Sequence, residues 1–100
     1  MRLGYALKEA RFKRFPNREM NQGEIAEAAG ISQTFLSQIE TGAKVPSMEV
    51  IASLCKIYEI PEAVLFWMAI EPKDIKKNKR AAFETIKGPM SNLIGEFFYK

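Results

Sequence analysis

Gln33, Thr34, Ser37, Gln38 and Thr41 are uncharged hydrogen-bonding side chains related by steps of one, three and four residues, a spacing that gathers them on one face of a helix. That chemistry suits the edges of bases in a major groove. Glutamine can pair bidentately with adenine N6 and N7, serine and threonine can serve several bases, and a good bidentate contact discriminates by about 1–3 kcal/mol. A solvated helix face more often carries Lys and Glu. A polar surface with no partner is the plain alternative, and composition alone leaves both readings open.

The elements that must hold this face follow from caps, breakers and apolar spacing. Ser32 is placed to cap a helix running through Glu40, with Leu36 and Ile39 turned inward and Thr41 and Gly42 ending it. Before it, Asn21 and Glu24 have capping-box spacing and begin a helix that carries Ile25, Ala26 and Ala29 inward, and Gly30 stops it. Ala26 is expected where two steeply crossing helices touch. Gly30 is expected to supply the left-handed conformation of a sharp turn.

Around this pair, Leu3 to Phe12 reads as a first helix with Leu3, Leu7 and Ala10 on one side. Pro16 and Asn17 open a polar connection, Phe15 to Met20. After Pro46, Ser47 caps a fourth helix with Val50, Ile51, Leu54 and Ile57 as its stripe, and Pro61 opens a fifth at its first helical position. Beyond Glu71 the composition turns basic, with Lys73, Lys76, Lys77, Lys79 and Arg80 leading into a sixth helix with Phe83 and Ile86. Gly88 and Pro89 are expected to break it, and Ser91 to cap a last helix carrying Leu93, Ile94, Phe97 and Phe98 along one side. No segment alternates with the period of a strand, so the fold class is all-α.

Composition narrows the function classes. One hundred residues with 47% hydrophobic side chains suffice for one core. The first ten residues lack an apolar run long enough for a signal peptide or a span, so a cytoplasmic chain with no membrane partner is expected. The single cysteine, Cys55, reads as a core residue, and with no histidine it has no partner for a metal site. Ser32 and Ser37 lack a base beside them, and Glu24 and Glu27 lie on a solvated face, so no catalytic residue, metal or cofactor is expected and the chain is not read as an enzyme. A net charge of +3 fits an anionic partner without demanding one.

The stretch NQGEIAEAAGISQTFLSQIETGAKVPS, residues 21–47, closely resembles the helix-turn-helix of phage repressor and Cro-type regulators, the xenobiotic response element family. Gln22, Ile25, Ala26, Gly30, Ser32, Leu36, Ser37, Ile39, Glu40, Gly42, Pro46 and Ser47 fall in register, and the similarity extends over about Leu3 to Ile70. The resemblance implies a five-helix lambda-repressor-like DNA-binding domain at residues 1–70 with a helical extension at 71–100. It implies base reading by Gln33, Thr34, Ser37 and Gln38, and contacts to the DNA backbone from Gln22, Ser32, Thr41 and Lys44, the first at a helix amino terminus suited to phosphate. Glu40 resembles the family acid that pairs with an arginine of the first helix, here Arg11. Two departures stand out: the long connection from Arg11 to Gln22, whose Lys13, Arg14 and Arg18 either touch phosphates or only solvate the loop, and Phe35, which either packs or meets a thymine methyl.

A single short recognition helix reads few base pairs, so relatives of this kind act as two-fold dimers on inverted-repeat half-sites about 34 Å apart. Phe66 and Trp67, in the apolar run from Val64 to Ile70, and Leu93, Ile94, Phe97 and Phe98 are the candidates for a subunit interface, with core packing as the alternative. The basic run Lys73 to Arg80 admits an anionic contact or a solvated helix face. The expectation is a sequence-specific duplex DNA-binding regulator, a homodimeric repressor. The same fold also serves as the antitoxin of toxin-antitoxin pairs, which would make the extension a docking element for a toxin or other protein.

Overall fold

In the computed structural model, residues 1–99 are described, and every regular element among them is helical. Five helices form the body: α1 (Leu3–Arg14), α2 (Gln22–Ala28), α3 (Gln33–Thr41), α4 (Met48–Tyr58) and α5 (Glu62–Ala69). Two 3₁₀ turns, Pro72–Asp74 and Lys77–Lys79, lead to a long helix, α6 (Arg80–Phe98).

The boundaries are written largely by local chemistry. Asn21 and Glu24 make a reciprocal capping box, with Glu24 N–H donating to Asn21 Oδ1 at 2.8 Å and Asn21 N–H donating to Glu24 Oε1 at 3.2 Å. Ser47 Oγ accepts the Val50 N–H at 3.2 Å and opens α4. Gly30 and Gly42 take positive φ, 74° and 85°, and end α2 and α3 in conformations a side chain would strain. Pro61 sits one position earlier than its φ restriction suggested, at the N-cap of α5. The first helix continues two residues past Phe12, to Arg14.

α1 lies at the centre of the body and packs on α3, α4 and α5. Ala6, Leu7 and Ala10 bury its inner face, with Leu3 at the margin, and they meet Ile25, Ala26, Leu36, Ile39, Ile51, Leu54 and Leu65 in one core. Phe15 and Tyr58 join that core edge to face, their ring centroids 6.5 Å apart. Neither was singled out by apolar spacing, because Phe15 lies beyond the periodic segment and Tyr58 carries a hydroxyl. At the crossing of α1 and α3, Gly4 lies against the backbone carbonyl of Ile39, where a Cβ would collide. The absent side chain is what allows the approach.

The carboxyl-terminal region departs from expectation. Gly88 and Pro89 do not break the chain: α6 runs unbroken from Arg80 to Phe98 through both, and Ser91 lies inside the helix instead of capping a new one. Proline forfeits one bond to the carbonyl four residues back. Here that carbonyl belongs to Thr85, and both Thr85 and Pro89 lie on the exposed side where water can satisfy it. Phe83 before the proline and Ile94 after it are both buried, so packing holds the two halves on one axis. The basic run is not a helix face either: it forms the two 3₁₀ turns, with Lys73, Lys76, Lys77 and Lys79 exposed and Arg80 Nε donating to the Ile75 carbonyl at 3.0 Å. Lys87, which the sequence reading passed over, donates to the carbonyls of Trp67 (3.2 Å) and Ile70 (2.8 Å) at the open end of α5 and ties α6 to the body.

Two outcomes follow from this packing. Gly4→Ala is expected to lower unfolding free energy by about 3 kcal/mol through overpacking, outweighing the roughly 1 kcal/mol gain in helix propensity, as read by urea denaturation. Burial, reinforced by the charge of Glu62, pushes the Cys55 thiol up to about 11. Labelling by a thiol reagent at pH 8 is therefore expected to be slow in the folded protein and to become rapid on unfolding in urea.

Candidate nucleic-acid interface

The second and third helices are joined by a turn that the sequence makes sharp. Ile31 N–H donates to the Ala26 carbonyl at 2.9 Å across left-handed Gly30, and fully buried Ala26 lets the two helices close. Ser32 then caps α3, its Oγ accepting the Phe35 N–H at 3.0 Å. With Leu36, Ile39 and Glu40 buried on one side, the helix phase leaves Gln33, Thr34 and Ser37 exposed on the other and Gln38 partly exposed. These four and Gln22 line one shallow depression of about 340 Å³.

Gln22 stands there in a second capacity. Glu40 is buried, and its carboxylate is held by three donors: Arg11 Nε to Oε2 at 2.8 Å, Arg11 Nη2 to Oε1 at 2.8 Å, and Gln22 Nε2 to Oε1 at 3.2 Å. A residue from each of the first three helices thus meets at one carboxylate. The hydrogen bonds to Glu40, outweighing partial burial, raise the Arg11 guanidinium above its ordinary range. Burial, with Glu40's charge adding to it, likewise raises the neighbouring Tyr58 phenol.

The end of α3 is closed by its own surroundings. The carbonyl of Gln38 accepts from Thr41 Oγ1 at 3.1 Å and from the Lys44 N–H at 3.2 Å, leaving the Lys44 side chain exposed beside the helix. Phe35 is half-buried and packs against the core. Lys13 and Arg14 belong to the last turn of α1 and not to the connection: Arg14 Nε lies 2.7 Å from Glu59 Oε2 and Lys13 is exposed, as is Arg18 in the connection itself. Gly23 is a residue the sequence reading missed: a Cβ there would come within 3.1 Å of Gln33 Oε1, so this glycine makes room for the side chain at the start of the exposed face. A glycine in the first turn of a helix, where it costs stability, is the signal that could have pointed to it. Among the interface candidates, Ile94 is buried and Phe66 packs against the core, Trp67 meets Phe83 with ring centroids 5.7 Å apart, and Leu93, Phe97 and Phe98 are exposed.

A short α2, a turn through a left-handed glycine and a capped α3 presenting polar side chains make up a helix-turn-helix. A family model described as a helix-turn-helix domain matches residues 2–65, and the chain belongs to that family, which marks it as a DNA-binding regulator. No curated protein and no solved structure matches the chain. Among the described residues, no helix is long and apolar enough to cross a membrane.

Arg11→Met is expected to cost about 3–5 kcal/mol, because it strands Glu40 as a buried charge with only Gln22 beside it. The double variant Arg11→Met with Glu40→Leu should recover part of that loss. Urea denaturation of both singles and the double, as a mutant cycle, reads the coupling.

Proposed function

We propose that the chain is a sequence-specific duplex DNA-binding regulator of the phage repressor and Cro type, acting in the cytoplasm as a homodimer on an inverted-repeat site and repressing transcription by occluding a promoter. One observation carries the reading: Gln33, Thr34, Ser37 and Gln38 stand together on the outer side of α3 while its inner side is anchored by Leu36, Ile39 and Glu40. Such a helix enters the major groove with its backbone already fixed, so that only the side chains of its outer face remain to be ordered.

In this reading the two glutamines pair with adenines and Thr34 and Ser37 supply the remaining base contacts. Ser32, Thr41, Lys44 and Gln22 face the sugar-phosphate backbone, Lys44 being the one cation among them. Residues 1–70 form the DNA-binding unit, and residues 71–100 join two copies. No step of this function is chemical. A second reading, in which the protein is an antitoxin and the extension docks a toxin or another protein, draws support from the apolar residues that α6 leaves exposed.

Selection of bound duplexes from a random library at near-physiological salt tests the proposal. The expected result is an inverted-repeat motif whose bases relax with Gln33→Ala and Gln38→Ala, each losing about 1–3 kcal/mol of discrimination. Lys44→Ala should weaken binding evenly across sequences and reduce the salt slope by about 1. Recovery of no motif, with all binding lost as salt is raised, would count against base reading and favour the protein-docking role.

A further inference from the structure

α6 carries an apolar seam that the body of the molecule does not use. Phe83 and Ile94 turn inward and are buried, whereas Ile86, Met90, Leu93 and Phe97 remain 50%, 40%, 51% and 75% exposed. Their spacing of four, three and four residues is that of the a and d positions of a coiled-coil seam, which runs for about 16 Å along the helix at 1.5 Å per residue. Beside it, Val64 and Trp67 of α5 complete a groove of about 470 Å³ with Met90, Leu93 and Phe97. We infer that this seam and groove form the interface with a second copy of this chain, the α6 stripe of each copy lying in the groove of the other about a two-fold axis.

Three features select that occupant. The same face offers both ridge and groove, which is the self-complementarity a two-fold contact requires. The exposed apolar area of the seam is on the order of 500 Å², given side chains of about 150–250 Å² each, and with a rim it approaches the roughly 800 Å² per partner of a stable interface. The lining is also uncharged. The cations around it stand at its margins: Lys87 is held by the Trp67 and Ile70 carbonyls, and Lys13 and Arg14 border Phe97 and Phe98 at the end of α6. The assignment adds Ile86 and Met90 to the contacts and leaves out Phe66, which packs against the core, while Ile94, itself buried, lies in the floor of the groove.

This inference rests on the dimeric DNA-binding reading but is tested apart from it. Sedimentation of the full chain at about 100 μM is expected to give the mass of two chains, a concentration at which an interface of this size associates. Leu93→Glu, a change at an exposed position, should weaken association on the order of a hundredfold, since both copies lose the central side chain, with the far-ultraviolet helical signal unchanged. Leu93→Cys should yield a disulfide-linked pair under mild oxidation, because Leu93 lies near the proposed axis. A one-chain mass for the parent protein, or a two-chain mass that survives Leu93→Glu, would overturn the assignment. A one-chain protein that still selects a DNA motif would sink the pairing and leave base reading standing, whereas a two-chain protein that selects none would sink base reading alone.

Discussion

The arrangement of the first three helices depends on one buried carboxylate. Glu40 sits at the inner edge of α3, where a charge without partners would be several kilocalories per mole too costly to keep. It is tolerated because Arg11 meets both of its oxygens and Gln22 meets one of them. The planar fork of the guanidinium fixes direction as well as distance, so α1 is held at one rotation relative to α3. An apolar contact of equal size could slide by a fraction of a turn. This one cannot slide without exposing a charge.

Close packing reinforces that constraint at the other end of the same crossing. Gly4 lets the backbone of α1 rest on the Ile39 carbonyl, one residue before Glu40, and Ala26 does the equivalent service between α2 and α3. Small residues at the crossings and a directional ion pair between them leave α3 little freedom. The polar face of α3 is therefore presented by a rigid support. Gln22 belongs to both sides of this division, since its amide supports Glu40 while its side chain lines the exposed depression.

The extension obeys a different balance. α6 is held by a few specific side-chain contacts: Phe83 against Trp67, Lys87 on the carbonyls that end α5, and the Tyr99 hydroxyl donating to Met68 Sδ at 2.7 Å. Lys87 Nζ also lies 5.3 Å from the Phe83 ring centroid and 5.7 Å from that of Trp67, so one cation joins the helix end to the aromatic pair. Of the large apolar side chains of α6, Phe83 and Ile94 are buried in this attachment, whereas Ile86, Met90, Leu93, Phe97 and Phe98 stay exposed.

The sequence by itself determined the short-range features. Capping by Asn21, Ser32 and Ser47, the left-handed stops at Gly30 and Gly42, and the polar outer face of α3 each depend on residues within a turn of one another, so they are readable from type and spacing. The pairing of Arg11 with Glu40 was available only through resemblance, because twenty-nine residues separate the partners. Tertiary structure alone decided the rest. Pro89 stays inside a helix because Phe83 and Ile94 are anchored on both sides of it, Gly4 is indispensable because a carbonyl from another helix lies against it, and Lys87 becomes a cap because α5 ends beneath it. The reason is common to all three: local rules price a residue against its own neighbours in the chain, and here the deciding neighbour came from a distant helix.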